Sequence, residues 1–186
     1  MKTIAIIILG MFLATGLSAQ ENKSEQEAGS NKKTDKKEQR EALLAQQFNE
    51  AKALVSSMRF VLEADFLSNQ YGYRSYVNSN LNFIMVDSTQ AVIQTGRNTG
   101  IGYNGVGGIT AKGNITTWKV TTNEKNKTMN VEMSVSSIIG YFRVLMNVSA
   151  DGRTTATLTG NYAGSLIYGG KLVPLDQSYA FKGSSL

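Results

Sequence analysis

The stretch FRVLMNVSADGRTTATL, Phe142–Leu158, decides how this chain folds. Phe142, Val144, Met146 and Val148 alternate with Arg143, Leu145 and Asn147. That is the period of a strand with one buried and one wet face, a dressing typical of antiparallel sheets. The Asp151-Gly152 turn then sets the register by parity. A two-residue Asp-Gly loop would pair Val148 with Thr155 and Met146 with Thr157, matching apolar positions to polar ones. A three-residue loop, Ala150-Asp151-Gly152, puts Met146 opposite Ala156 and Val144 opposite Leu158. The longer loop is therefore expected, with Gly152 left-handed in a bulge.

The same alternation continues upstream, where Val131, Met133 and Val135 interleave with Asn130, Glu132 and Ser134. Short runs rich in Val, Ile, Thr, Phe and Tyr mark further strands at 59–65, 81–86, 90–95, 109–122, 127–139, 142–150, 154–161 and 165–175. Turns at Asp87-Ser88-Thr89 and at Asn123–Asn126 make two more tight hairpins. The strands thus meander, and the expected fold is mainly β, an antiparallel sandwich or partly closed barrel. One N-terminal amphipathic helix precedes them: over 42–58, Leu44, Phe48, Ala51 and Val55 recur at helical spacing, with Leu43 and Leu54 widening the stripe. Its polar face is rich in Gln, Asn and Ser rather than Lys and Arg, so the apolar face is expected to dock on the β-rich domain downstream. Residues 42–186 form one domain, long enough to bury a sizeable core.

Residues 20–41 read as a disordered charged linker: Ala28 is the one apolar residue, and Lys and Glu are interspersed. Residues 1–19 read as a signal peptide, with Lys2 ahead of the short apolar run Ile4–Leu17 and Ala19 at the expected cut. The run is too short to span a bilayer. A lipoprotein would need a cysteine at the cut, and the chain has none. The expected product is a soluble exported protein, periplasmic or extracellular, not a lipoprotein and with no stable membrane insertion.

The 186 residues include neither His nor Cys, which removes Ser-His-Asp triads, thiol nucleophiles and Cys/His zinc sites. No metal site, no cofactor and no catalytic residue is expected. The net charge of +5 is carried by singly scattered cations without a basic stripe, so nucleic acid is not an expected partner. Gly100-Ile101-Gly102-Tyr103-Asn104-Gly105 matches a dinucleotide fingerprint literally. Directly after it comes Val106-Gly107-Gly108-Ile109-Thr110, a strand and not a helix whose N-terminus could take a pyrophosphate, so it reads as a glycine-rich hairpin loop.

Four segments taken together resemble an exported family typical of Bacteroidetes, domain of unknown function 4251: Phe60–Asp65, Asn82–Asp87, Asn104–Thr110 and Gly170–Leu175 with Phe181-Lys182-Gly183. The resemblance covers about Arg59 to Ser184 and implies export from a Gram-negative cell. It implies no activity, and no site residue is carried over from it.

The candidate binding residues come from the loops. Tyr71, Tyr73 and Tyr76 surround Arg74 in a stretch of Asn, Ser and Gly, an aromatic surface on which a sugar or a protein could stack; Tyr103 and Asn104 in the glycine-rich loop could add contacts. Loop tyrosines also serve simply to cover the end of a sheet. Glu63 and Asp65 lie two apart on a strand, sharing a face at about 6.6 Å of rise, with Arg59 on the same side. A solvent-side ion-paired stripe explains all three without catalysis. Trp118 reads as core. The leading expectation is a non-enzymatic binding or interaction domain of the cell envelope, its partner a small molecule, a glycan or an envelope protein. The alternatives are a carboxylate-dependent glycan hydrolase using Glu63 and Asp65, and a structural or assembly protein presenting an edge strand.

Overall fold

The computed structural model describes residues 21–97, 103–161 and 164–185. The signal-peptide segment and Gly100–Gly102 of the fingerprint lie outside these residues. Within them the chain runs α1 (Glu21–Ser57), β1 (Arg59–Asn69), β2 (Arg74–Tyr76), β3 (Phe83–Asp87), β4 (Gln90–Thr95), β5 (Ile109–Asn123), β6 (Thr128–Ser137), β7 (Gly140–Ser149), β8 (Arg153–Thr159) and β9 (Ser165–Pro174), then a short 3-10 turn at Leu175–Gln177. It divides into two units, Met1–Glu41 and Ala42–Leu186.

The helix is longer than the apolar stripe requires. It begins at Glu21, so most of the segment read as a disordered linker is helical here. Glu, Gln, Lys and Ala all have high intrinsic helix propensity, which apolar periodicity does not register. Among its described side chains, Phe48, Ala51 and Val55 enter the core of the second unit, with Leu44 and Leu54 packed beside them.

The strands follow a simple meander, each pairing antiparallel with the next from β3 to β9. What the sequence left open between sandwich and partly closed barrel is settled by a pairing it could not show. β9 returns to β1, with Phe60 opposite Pro174, Leu62 opposite Leu172 and Leu67 opposite Tyr168. The sheet therefore closes into a full barrel of eight strands, with β2 as an extra strand on β1. The other edge of β1 is shared end to end: β3 pairs along Arg59–Glu63, and β2 pairs along Phe66–Ser68. A segment of three residues such as β2 carries no period to read.

The parity argument at Asp151 holds. Met146 pairs with Ala156 and Val144 with Leu158 around a three-residue loop, and Gly152 has φ +78. Inward positions are mostly apolar: Phe60, Leu62, Ile84, Val86, Ile93, Met129, Val131, Met133, Val135, Val144, Met146, Val148, Ala156 and Tyr168 form one buried cluster. Side chains fill the barrel, and the helix residues Phe48, Ala51 and Val55 join that packing. Trp118, half-buried, packs on it with its ring 6.2 Å from that of Phe60. Outward positions on β5 to β8 are mostly polar, as at Lys119, Glu132, Asn147 and Thr155, with Leu145 an apolar exception. That is the reverse of a membrane-spanning barrel. Among the described residues no helix is long and apolar enough to cross a membrane.

Tyr168 is fully buried, and burial raises its phenol above the ordinary range. In the unfolded chain the phenol ionises near pH 10. The folded barrel keeps Tyr168 protonated beyond that point, so its contribution is intact below about pH 10 and is lost as pH rises further, by at most about 1.4 kcal/mol per pH unit. In an alkaline absorbance titration one of the eight tyrosines should ionise only with unfolding, and Tyr168→Phe should remove that step. A native titration in which every tyrosine ionises reversibly below the unfolding transition would contradict the buried placement.

The meander gives the barrel two ends. The helix end gathers the turns at 88–89, 124–127 and 150–152 with the last residues of α1, and the loop end gathers 70–73, 77–82, 96–97, 103–108, 138–139, 160–161 and 164.

Candidate functional site

At the loop end, β1 turns into β2 through a hairpin organised by Asn69. Its Oδ1 accepts hydrogen bonds from the Tyr71 and Tyr73 backbone N–H groups, both at 3.0 Å, and its own N–H donates to the Tyr73 carbonyl at 3.1 Å. With the backbone held this way the tyrosine rings point into water: Tyr71 and Tyr73 are 77% exposed and Tyr76 82%. Arg74 is different. Its guanidinium lies 3.8 Å from the centre of the Phe66 ring, and Phe66 in turn lies over Gly169, its cross-strand partner, where a Cβ would overlap the ring. The contact holds the guanidinium against the ring face while Arg74 stays exposed.

Beside this hairpin the mouth of the barrel forms an open cleft of about 400 Å³. Phe142, Leu158 and Leu166 are its apolar floor, and Asn69, Gln70 and Tyr71 wall one side. These three apolar residues are half-buried and pack on the core cluster below, so the lumen is filled up to them and the cleft begins there. Barrel mouths are common ligand sites.

A larger cleft of about 650 Å³ lies at the helix end, between α1 and the β7–β8 turn, over Ala51, Leu54, Leu172 and Pro174. It is the seam along which the helix docks, and it has no aromatic lining. A shallow groove of about 420 Å³ on the outer wall runs over Lys119, Asn130, Glu132, Leu145 and Thr155.

The expected contacts separate. Tyr71, Tyr73, Arg74 and Tyr76 share one hairpin, whereas Tyr103 stands 84% exposed on a different loop of the same end. Asn104 is not available to a ligand, since it is buried and its amide is used up. Oδ1 accepts from Val106 N–H at 3.1 Å and Gly108 N–H at 2.9 Å, while Nδ2 donates to the Thr95 carbonyl at 3.2 Å and Thr110 Oγ1 at 3.1 Å. It builds the loop that presents Tyr103.

Nor do Glu63 and Asp65 form a carboxylate pair. The register of β1 on β9 slips between Ala64 and Phe66, so Asp65 is the extra residue of a bulge and the strand period that joined the two is broken there. Glu63 is occupied elsewhere, accepting Ser178 Oγ–H at 2.6 Å and the Tyr179 backbone N–H at 3.1 Å. Arg59 pairs with Asp87 at 3.6 Å, not with either.

Glu63 thereby anchors a C-terminal strap, Ser178–Ser185, which sequence reasoning did not foresee. Val173, Leu175 and Ala180 pack over a second apolar cluster, Val61, Phe83, Met85 and Val92, on the outer face of β1, β3 and β4. Farther along, Gln94 holds the strap through Nε2 to the Phe181 carbonyl at 2.9 Å and Oε1 from Gly183 N–H at 2.8 Å. Glu63→Ala should loosen the strap, costing about 1–2 kcal/mol for a carboxylate-accepted pair of hydrogen bonds near the surface. Faster amide exchange at Tyr179 and Phe181, with the barrel amides unchanged, is the expected readout.

Among the described residues no group of three or more His, Cys, Asp or Glu converges as a metal would require. The profile of a family described as domain of unknown function (DUF4251) matches residues 42–172. No curated protein matches the chain. Among solved structures it is similar to the crystal structure of a DUF4251 family protein from Bacteroides eggerthii DSM 20697, at 28% identity and a TM-score of 0.60, covering 71% of this chain and 90% of that one. With a match that takes in α1 from Ala42 and every strand through most of β9, this chain belongs to the DUF4251 family.

Proposed function

We propose that this protein is an exported, non-enzymatic binding domain of the cell envelope that takes its ligand at the mouth of the barrel. One observation carries the reading: an apolar-floored cleft, Phe142, Leu158 and Leu166, stands directly beside a rigid hairpin whose tyrosines face water. Clustered exposed aromatic side chains mark interaction surfaces, and loops held by a rigid scaffold are where binding residues concentrate. Export rests on the basic, apolar and small-residue order of the first nineteen positions. The absence of His and Cys from the sequence and the engagement of Glu63 with the strap favour binding over hydrolysis.

Native mass spectrometry of the protein purified from its own envelope tests this. A reproducible adduct lost in Tyr71→Ala and retained in Arg153→Gln, a change at the helix end, is the expected result. An adduct indifferent to Tyr71, or turnover of an added glycan, would overturn it.

A further inference from the structure

The two ends of the barrel differ in charge in a way that names a ligand class. Between Phe66 and Val86, between Ser88 and Asn123, between Met133 and Ala150 and between Gly152 and Leu175 the sequence has no Asp or Glu. Folded as a meander, those segments supply every loop of the mouth end. The turns of the opposite end carry acidic side chains instead: Asp87, Glu124 and Asp151 sit there and pair with Arg59, Lys52 and Arg153 at 3.6, 2.7 and 2.9 Å. The mouth end carries Arg74, Arg97 and Lys182, and among the described residues none of them takes part in an ion pair. Arg97 follows β4 and bonds back to the Val106 carbonyl at 2.8 Å; Lys182 lies on the strap between Phe181 and Gly183, which bond to the Asn80 carbonyl and Gln94.

We infer that the ligand is an acidic glycan, bound with sugar faces against the tyrosines and a carboxylate on Arg74. The inference rests on the mouth-end binding reading above and adds a chemistry to it. Flat exposed rings at Tyr71, Tyr73 and Tyr76 suit the C–H faces of pyranoses. The exposed guanidinium fork of Arg74, held against Phe66, suits a planar carboxylate that can accept two hydrogen bonds. The surrounding loops add no acidic side chain, and the one carboxylate beside them, Asp65 at the β1 bulge next to Phe66, is outnumbered by Arg74, Arg97 and Lys182, so the mouth end stays net positive and favours an anion over a neutral sugar. An acidic peptide would satisfy the arginine equally, but it would not use three separate exposed rings as stacking platforms.

A matched pair of probes tests the class: oligogalacturonate and the same oligomer fully methyl-esterified, titrated into the purified protein with tyrosine fluorescence and calorimetry as readouts. Oligogalacturonate should bind, and the ester should bind at least about tenfold more weakly. Arg74→Gln should erase that difference and Arg74→Lys restore it only in part, since the ammonium keeps the charge without the stacked plane. Tyr73→Ala should weaken both probes.

Equal binding of acid and ester would overturn the acidic class while leaving the aromatic site standing. Weakening by Arg153→Gln as large as that by Arg74→Gln would also overturn it, by tracing the attraction to net charge. If neither probe binds but a native adduct still depends on Tyr71, the glycan proposal falls and the mouth-end site survives. If that adduct ignores Tyr71 as well, both fall.

Discussion

Gly170→Ala is expected to destabilise the protein by about 3 kcal/mol, at the upper end of overpacking costs. A Cβ at this position would coincide with the backbone carbonyl oxygen of Glu63 and press on the Cα of Ala64. Neither can swing aside, because both belong to the β1–β9 seam that closes the barrel. The neighbouring substitution gives the contrast. At Gly169 the obstacle is the Phe66 ring, a side chain able to rotate, so Gly169→Ala should cost less in stability while dislodging Arg74 from its stack. Urea unfolding of the two variants separates them. A Gly170→Ala midpoint equal to that of the parent would mean that the seam is wider than described.

Gln94→Leu should be comparably damaging, for a different reason. Gln94 is fully buried on the outward phase of β4, and its amide is bonded on both sides. Nε2 donates to the Leu81 carbonyl at 3.1 Å and the Phe181 carbonyl, and Oε1 accepts from Thr110 Oγ1 at 2.8 Å and from Gly183 N–H. Leucine has similar volume but leaves two acceptors and two donors without partners, each worth about 1–3 kcal/mol where water does not reach. Because two of those partners belong to the strap, water will reach some of them, and a net loss of about 3 kcal/mol with release of the strap is expected. The readout is cleavage by chymotrypsin at Phe181 under conditions where the parent is intact. Gln94→Glu should be at least as damaging, since it keeps both acceptor contacts but turns a carboxylate oxygen toward the Leu81 and Phe181 carbonyls in a buried site. A Gln94→Leu protein as stable and as resistant as the parent would show that the amide network contributes nothing.

These two residues also show where sequence reading stopped. Wherever one face of a strand was apolar and the other wet, the pattern was sufficient: β6, β7 and β8, the three-residue loop at 150–152 and its register followed from parity alone. The docked part of α1 followed from the spacing of Phe48, Ala51 and Val55. On β3 and β4 both faces are covered, one by the core and one by the strap, so Phe83, Met85, Val92 and Gln94 show no alternation to interpret. The closing of the barrel depends on a pairing between distant segments, which local periodicity does not encode. At the site, exposure of Tyr71, Tyr73, Tyr76 and Tyr103 was legible from their glycine- and asparagine-rich setting. The burial of Asn104 was not: an asparagine beside glycines looks the same whether its amide meets a ligand or caps a turn. The mouth cleft was equally hidden, since Phe142, Leu158 and Leu166 come from three strands that only the fold brings together.

Closure through β1 and β9 also governs how the protein can form. The seam joins residues about a hundred positions apart, Phe60 with Pro174 and Leu67 with Tyr168. Until β9 is present, β1 has one bare edge and the apolar interior has an open side, so no shorter N-terminal fragment can complete the barrel. Folding must wait for nearly the whole chain to be available, and the entropy of bringing such distant partners together puts it among slow, high-contact-order folders. A chain that cannot close early stays open while it is being made, and closes its barrel in one late, cooperative step.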